Sequence, residues 1–326
     1  FLPTTNYKLP KTNYQLPTTY LTPMHPRNRY QKPHDFPALA KIVPEIRQYF
    51  TQTLAGRDTL DFTQPGAVRQ LNKALLLRDY GLQHWDIPAD HLCPGVPGRL
   101  DYIHVIADLL GDGAQVPTAL AERVPSQDKK QSTDKVTGLD IGAGASLIYP
   151  ILGIQEYGWQ FVGTDLDPGS LKVAGAIAKF NKVLTNSVIL RRQTEATAIF
   201  KNIILPGEYF DFTMCNPPFF ASAAEATSAA SKKWAKLGKP ASPNLNFGGR
   251  AHELWTPGGE PAFLRRMIEE SALFRQQVGW FTTLVSKKGY LKPARRTLGR
   301  LKATEVRELP IGQGGKIRRV LAWRWE

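Results

Sequence analysis

Short apolar segments alternate with segments of helical spacing from Val136 onward, and this alternation constrains the fold more than any other feature of the sequence. The apolar segments predict strands near residues 136–141, 160–164, 187–191, 209–215 and 280–285. Residues 260–277 predict a helix with Pro261 in its first turn and a buried stripe made of Phe263, Leu264, Met267, Ile268 and Phe274. Residues 305–309 and 319–325 flank a glycine-rich segment, 312–315, and predict a hairpin. This order is typical of an α/β protein whose mostly parallel sheet ends in an antiparallel hairpin.

A glycine-containing turn follows the first predicted strand. Residues 142–146, Gly-Ala-Gly-Ala-Ser, join that strand to an apolar segment, and glycines at such a turn let the backbone approach a ligand closely. The second strand is followed by Asp165, about twenty residues after Gly142, where an acidic side chain can bind ribose hydroxyls. Leu147 stands where a dinucleotide fingerprint has its third glycine, which favours S-adenosylmethionine over a nicotinamide dinucleotide. By itself, the turn could be purely structural.

The fourth predicted strand ends in a turn made of Asn216, Pro217, Pro218 and Phe219. The two prolines fix φ and donate no backbone hydrogen bond, so the turn is rigid and offers acceptors. The side-chain oxygen of Asn216 and the carbonyl oxygen of Pro217 suit the two N–H groups of an exocyclic amine, and the Phe219 ring can stack on the attached base. Such a turn could simply terminate a strand. The glycine turn and the acid upstream favour a methyl-transfer site instead.

The charge balance points to a phosphate-binding surface. The 326 residues include 42 Lys and Arg against 28 Asp and Glu, a net charge of +14, with a pI of about 9.7. General solubility is the alternative explanation. The two cysteines, Cys93 and Cys215, lack the spacing of a zinc site or a disulfide framework, so we expect no metal and a reducing compartment. With no signal-peptide core and no apolar run of about 20 residues, we expect a cytoplasmic protein that makes no membrane contact.

Composition divides the chain into four expected parts. Residues 1–24 contain an imperfect Thr-Asn-Tyr repeat rich in proline and predict a disordered, low-complexity extension. Met24 is the first methionine and a candidate natural start. Residues 25–115 predict a helical N-terminal module that binds RNA, with helices near 36–50, 67–77 and 100–110. Residues 116–135 predict a linker, and residues 136–326 the catalytic domain.

These motifs together resemble those of class I S-adenosylmethionine-dependent methyltransferases. They are most similar to the N6-adenine RNA methyltransferases that include the bacterial large-subunit (23S) ribosomal RNA enzyme, the nearer match, and a eukaryotic relative acting on snRNA. The resemblance extends from about His25 to Glu326 and is carried by residues 25–29, 92–103, 140–145, 215–219 and 245–249. Residues 92–103, Leu-Cys-Pro-Gly-Val-Pro-Gly-Arg-Leu-Asp-Tyr-Ile, are diagnostic of this group.

The resemblance implies a fold, a reaction and a partner. The fold would be Rossmann-like, with a mostly parallel seven-stranded sheet and a small helical N-terminal module. The reaction would be methyl transfer from S-adenosylmethionine to N6 of a specific adenine. The partner would be 23S ribosomal RNA, either naked or in an assembling large subunit.

The resemblance also implies roles for individual residues. Arg99 would bind the methionine carboxylate of the cofactor, Asp165 the ribose hydroxyls, and Thr194 would lie near the adenine ring. The further cofactor-binding positions would be Asp140, Gly142, Gly144, Ser146 and Asn216. The catalytic turn would be Asn216, Pro217, Pro218 and Phe219.

Three groups of residues are candidates for RNA binding. The first group precedes the helical segments and contains Arg27 and Arg29. The second follows the catalytic turn and contains Lys232, Lys233, Lys236 and Lys239, together with Trp234, whose ring could stack on a base. The third follows the fifth predicted strand and contains Lys287, Lys288, Lys292, Arg295, Arg296 and Arg300. Each could equally be part of a solvated surface, but together they would provide affinity for phosphates.

Two other functions remain open on the sequence alone. Protein-glutamine methyltransferases also pair a helical module with an Asn-Pro-Pro-aromatic turn, because a glutamine amide presents the same pair of N–H groups. A non-catalytic RNA-binding assembly factor could retain the fold. The positive charge and residues 92–103 favour RNA over a protein substrate, and the intact Asn216 turn and Asp165 favour catalysis.

Overall fold

The computed structural model describes residues 24–53, 55–111, 135–228, 251–313 and 316–325. Its N-terminal part consists of helix α1 (Phe36–Ile42), a 3-10 helix (Pro44–Tyr49), strands β1 (Phe50–Gln52) and β2 (Asp58–Leu60), and helices α2 (Pro65–Tyr80) and α3 (Val96–Leu110). The Asp35 side chain caps α1 by accepting from Ala38 N–H. Helices α2 and α3 end at Gly81 and Gly111, which adopt the left-handed conformation that favours glycine.

The C-terminal part alternates strands and helices. In chain order these are β3 (Thr137–Ile141), α4 (Ile148–Tyr157), β4 (Gln160–Asp165), α5 (Pro168–Phe180), β5 (Val188–Arg192), β6 (Phe210–Cys215), α6 (Ala251–Leu254), α7 (Gly259–Ser271), β7 (Val278–Val285), α8 (Leu291–Arg300), β8 (Glu305–Gln313) and β9 (Lys316–Arg324). Short 3-10 helices lie at Lys182–Leu184, Ala272–Phe274 and Lys288–Tyr290.

The strands from β3 to β9 form one seven-stranded sheet in the order β5-β4-β3-β6-β7-β9-β8. Strands β3 to β7 pair in parallel, whereas β9 is antiparallel to both β7 and β8. The predicted α/β fold, with a mostly parallel sheet that ends in an antiparallel hairpin, is confirmed. The strand order reverses between β3 and β6, and a crevice at such a switch point is where α/β proteins bind ligands.

Helices cover both faces of the sheet. Side chains alternate along β9: Val320 and Ala322 belong to one core, and Leu321 and Trp323 to the other. The first core extends to α2, α3, α4 and α5. The second is formed with α7, α8 and residues 199–204. The large sheet is therefore the middle layer of three.

Helix α3 packs directly on the sheet. Its Tyr102 hydroxyl lies 2.7 Å from Thr282 Oγ1 and accepts from Cys215 N–H at 3.4 Å. Thr282 in turn donates to Thr213 O at 2.7 Å, so the Tyr102 hydroxyl donates to Thr282. The proposed division at residues 25–115 and 136–326 stays a prediction, and in the structure α3 shares one core with the helices of the second part. The expected extension lies outside the described residues up to residue 23, as does nearly all of the expected linker.

The structure departs from the predicted elements at several points. Residues 36–50 were expected to form one helix, but α1 ends before Pro44, because proline lacks the N–H that an α-helix needs. The β1–β2 hairpin and helix α5 were not predicted at all. Helix α7 ends at Ser271, six residues before the expected end, and passes into a 3-10 helix. The strands of the C-terminal hairpin extend to Gln313 and from Lys316, which leaves a shorter turn than the sequence indicated.

Candidate active site

The glycine turn and the Asn216 turn leave neighbouring strands at the same edge of the sheet. Strands β3 and β6 are adjacent and parallel, and Ile141 pairs with Cys215. In the chain, Gly142 directly follows Ile141, and Asn216 directly follows Cys215. The two motifs that lie more than 70 residues apart in sequence are therefore side by side at the switch point.

The glycine turn is fixed to the end of β4. Gly142 and Gly144 have φ values of 74° and 64°, which a residue with a side chain rarely adopts. Gly144 N–H donates to Asp165 Oδ2 at 3.0 Å, and Asp167 N–H donates to Asp165 Oδ1 at 2.9 Å. Asp165 is buried, so its carboxylate is held at the mouth of the turn. Ser146 is also buried, and its carbonyl accepts from the indole of Trp85.

Asp140 lies beneath the turn and is fully buried. Neither of its carboxyl oxygens has a hydrogen-bond partner in the part of the chain that the structure describes. Burial raises the pKa of Asp140 to about 8, and the nearby carboxylate of Asp165 adds to the increase, while Arg99 opposes it.

Arg99 connects the N-terminal part to the catalytic turn. The first turn of α3 holds it, with only 7% of the residue exposed. Its Nη1 donates to Tyr149 OH at 3.1 Å and to Asn216 Oδ1 at 3.4 Å. No ion pair of Arg99 with a carboxylate occurs among the described residues. A second guanidinium, that of Arg318 in β9, lies near Arg99. Partial desolvation lowers the pKa of Arg318 below its ordinary value, and the positive charge of Arg99 lowers it further.

A cavity of about 390 Å³ joins most of the predicted site residues. Those that line it are Arg99, Gly142, Gly144, Ser146, Asp165, Asn216 and Pro218. Asp140 is fully buried and is not among the lining residues. Pro217 and Phe219 are on the same turn but are not among the lining residues, and Thr194 is an exposed neighbour of the lining residue Gln193.

Several side chains that line this cavity were not predicted as site residues. They are Tyr149, Leu166, Gln193, Glu253, Trp255, Thr256, Phe263 and Arg266. Glu253, Trp255 and Thr256 reach the cavity from residues that lie far downstream of the catalytic turn. No spacing in the sequence indicates this position, because it depends on how the chain returns to the sheet edge.

The predicted RNA-binding residues differ in their surroundings. Arg27 donates to Tyr157 OH, His104 O and Asp108. Arg29 pairs with Glu156 and lies over the Tyr80 ring. By contrast, Lys287 and Lys288 are exposed just after β7. Lys232, Lys233, Trp234, Lys236 and Lys239 lie outside the described residues.

The described part of the chain offers neither a metal site nor a membrane-spanning helix. It contains no cluster of three or more His, Cys, Asp or Glu side chains suited to a metal ion. None of its helices combines the length and the apolar character needed to cross a membrane.

Comparison with known proteins identifies the family. A family model described as "RNA methyltransferase" matches residues 19–326. The chain belongs to this RNA methyltransferase family. The "Ribosomal RNA large subunit methyltransferase F" of Aeromonas salmonicida (strain A449) is 47% identical over 303 residues, 92% of this chain and 90% of the relative. The protein of that name from Salmonella agona (strain SL483) is 45% identical over 300 residues, 92% of either chain.

Solved structures agree with the fold of this RNA methyltransferase. The hMettl16 catalytic domain in complex with MAT2A 3'UTR hairpin 1 has a TM-score of 0.76 at 34% identity, and the match covers 93% of this chain and 96% of that one. The N-terminal domain of human METTL16 in complex with SAH has a TM-score of 0.71 at 31% identity, with 93% of this chain and 99% of that one covered. The predicted class I methyltransferase fold and the predicted family are confirmed. Family membership also decides against the protein-glutamine and non-catalytic alternatives.

Proposed function

We propose that this RNA methyltransferase transfers a methyl group from S-adenosylmethionine to N6 of a specific adenine in 23S ribosomal RNA. The observation that carries the proposal is the shared cavity, in which Asn216 and Pro218 lie beside Gly142, Gly144 and Asp165. The names of the curated relatives support ribosomal RNA of the large subunit as the substrate. Structures of METTL16 with an RNA hairpin and with SAH support RNA and this cofactor.

The residues around the cavity fit S-adenosylmethionine. Arg99 is a buried guanidinium without an ion-pair partner among the described residues, and its planar fork can bind both oxygens of the methionine carboxylate. Asp165 lines the cavity, and its carboxylate can accept from ribose hydroxyls. The glycine backbone keeps side chains off one wall, and the volume lies in the range of ligand pockets. When bound, the cofactor supplies an electrophilic methyl group on a sulfonium.

Other assigned contacts remain part of the proposal. Ser146 would line the methionine and ribose side, and Thr194 would approach the adenine ring. Thr194 is exposed and directly follows Gln193, which lines the cavity. Its contact with the adenine ring would therefore come from the segment after β5 and not from the cavity wall.

The chain's own contribution to the reaction is to position the target base. Adenine N6 is a weak nucleophile because its lone pair is delocalised into the ring. Hydrogen bonds from the amine to Asn216 Oδ1 and Pro217 O would localise that lone pair on nitrogen. Arg99 already donates to Asn216 Oδ1, and since an amide oxygen has two lone pairs, it can orient the amide without blocking the base. Such positioning can contribute up to about 7–11 kcal/mol.

Bringing the base into the site has a cost that the turn offsets. Removing a base from its stack costs a few kcal/mol in a duplex and less in a loop or single strand. Stacking on the Phe219 ring would return roughly 1–3 kcal/mol. No metal is needed, and the proton of the cationic methylated amine can leave to water.

A substitution at Asn216 tests this assignment. Asn216→Ala should lower methyl transfer to a ribosomal RNA fragment by about a hundredfold or more, because one of the two acceptors for N6 is lost. Asn216→Asp keeps an oxygen acceptor and should retain more activity than the alanine variant. The assay measures labelled methyl transfer with mapping of N6-methyladenosine, and calorimetry measures cofactor affinity. Equal loss of both quantities in Asn216→Ala would contradict the catalytic role.

The substrate class has its own test. N6-methyladenosine is mapped in 23S ribosomal RNA from cells with and without the gene. We expect one adenine to lose its methyl group in the deletion strain and to regain it with the wild-type gene but not with Asn216→Ala. An unchanged map would refute ribosomal RNA as the substrate.

A further inference from the structure

Residues 253–257 are held against the catalytic turn by their main chain. Phe219 N–H and Phe220 N–H both donate to Leu254 O, at 3.1 and 3.0 Å, and Thr256 N–H donates to Phe220 O at 3.0 Å. Phe220 and Trp255 form an isolated parallel bridge. The position of Trp255 relative to the catalytic turn is therefore set by backbone hydrogen bonds and not by a flexible loop.

Side chains fix the same segment at both ends. Glu253 Oε2 accepts from Leu92 N–H at 3.1 Å, which ties the segment to the residues just before α3. Thr256 Oγ1 accepts from Arg266 Nη2 at 3.0 Å, which ties it to α7. Since Trp255 lies between these anchors, it is preorganised before any ligand arrives.

The indole N–H of Trp255, a residue that lines the cavity, has no hydrogen-bond partner among the described residues. Trp255 is half-buried and lines the cavity with Asn216. Its Nε1 is buried and has no hydrogen-bond partner within the described residues. Other tryptophans use this group: Trp85 donates to a carbonyl at 3.0 Å and Trp325 to another at 3.1 Å. An unmade hydrogen bond of a buried donor costs free energy, so this N–H calls for an acceptor on a ligand.

The chemistry of the donor selects among ligands. A tryptophan N–H only donates. Adenine presents the amine N6 as a donor and the adjacent ring nitrogen N1 as an acceptor, whereas guanine carries a hydrogen on N1 and an oxygen at C6. The acceptors of Asn216 and Pro217 and the donor of Trp255 together match the Watson–Crick edge of adenine and mismatch that of guanine, and enzymes read a flipped base by this edge.

We propose that Trp255 is a specificity-determining residue whose indole N–H donates to N1 of the target adenine. The inference rests on the proposed function, because it concerns the base that the catalytic turn holds. Trp255 would contribute little to binding of the cofactor. It would contribute to the choice of adenine over guanine and to alignment of N6.

An atomic substitution in the RNA tests the contact. Wild type and Trp255→Phe are compared on a ribosomal RNA fragment with adenosine or 1-deazaadenosine, which has C–H in place of N1, at the mapped position. Replacing adenosine by 1-deazaadenosine should lower kcat/KM of wild type about tenfold more than it lowers kcat/KM of Trp255→Phe. We also expect Trp255→Phe to be about tenfold slower than wild type on adenosine, with unchanged cofactor affinity.

Controls separate this contact from folding and from the proposed function. Trp325→Phe removes an indole donor from a residue that does not line the cavity, and it should keep the wild-type ratio of kcat/KM between the two bases. The inference would be overturned if wild type and Trp255→Phe had the same ratio of kcat/KM for adenosine to kcat/KM for 1-deazaadenosine. A weaker cofactor affinity of Trp255→Phe with that ratio unchanged would also overturn it, because the donor would then bind the cofactor. If Trp255→Phe does not fold, the wild-type enzyme must still discriminate against 1-deazaadenosine more than against 3-deazaadenosine. Failure of wild type to methylate any adenosine would instead refute the proposed function.

Discussion

At the scale of single residues, burial changes the protonation state that Asp140 has at neutral pH. It is fully buried at the sheet edge, and its carboxyl oxygens lack hydrogen-bond partners among the described residues. Desolvation and the charge of Asp165 raise its pKa to about 8. In the folded protein the group is therefore largely protonated at neutral pH, whereas in the unfolded chain it is ionised. The native state holds a proton that the unfolded state has released.

This difference makes stability depend on pH with a definite sign. When the folded state binds one more proton than the unfolded state, the free energy of unfolding falls as pH rises, by about 1.4 kcal/mol per pH unit. The window runs from the ordinary carboxyl pKa to about pH 8. Asp140→Asn removes this dependence, so its stability relative to wild type should improve as pH rises from 6 to 8. Urea unfolding measures both proteins across that range.

A matched variant checks that the effect belongs to the buried site. Asp58→Asn removes an exposed carboxyl group at the start of strand β2. If the difference in free energy of unfolding between wild type and Asp140→Asn stays constant from pH 6 to 8, Asp140 is ionised in the folded protein.

At the scale of elements, the close packing of β3 depends on the absence of a side chain at Gly138. Gly138 pairs with Phe161 on one side and Phe212 on the other. A Cβ placed there would lie 2.4 Å from Phe212 Cζ and 2.9 Å from Phe161 Cε1. Gly175 in helix α5 differs, because its Cβ would meet only Leu190 Cδ1, at 3.6 Å.

The two glycines should respond in opposite ways to alanine. Gly138→Ala overpacks the core and should destabilise the protein by about 1–3 kcal/mol. Gly175→Ala makes an ordinary contact, and alanine in a helix should stabilise by about 0.5–1 kcal/mol. Thermal unfolding of both variants measures the difference. A higher melting temperature for Gly138→Ala would contradict the packing described for β3.

Elements were predicted from sequence where the signal is local. The strands of the parallel sheet and the turns at Gly142 and Asn216 were predicted within about two residues, because apolar runs and glycine or proline punctuation determine them. The β1–β2 hairpin has strands of three residues, too short for a period to be visible. The position of Trp255 could not be predicted, since it depends on backbone hydrogen bonds between residues 219–220 and 254–256.

At the scale of the whole molecule, the positive charge is not evenly available. Several arginines are neutralised by ion pairs: Arg27 with Asp108, Arg29 with Glu156, and Arg191 with Glu208. Lys287 and Lys288 are exposed, and neither forms an ion pair within the described residues. They follow β7, which neighbours β6, so they lie at the same edge of the sheet as Asn216. This edge is therefore where free cations and the cavity coincide.

RNA affinity should consequently depend on salt through these lysines. Each phosphate neutralised by a cation adds roughly 0.7–0.9 to the slope of log affinity against log salt concentration. Replacing Lys287 and Lys288 by alanine should reduce the slope by about 1–2 in binding titrations with a ribosomal RNA fragment. Lys179→Ala is the matched control, because Lys179 is an exposed lysine in the last turn of α5, at the opposite edge of the sheet. If the double variant keeps the wild-type slope, or if Lys179→Ala lowers it as much, RNA does not bind across the edge that carries Asn216.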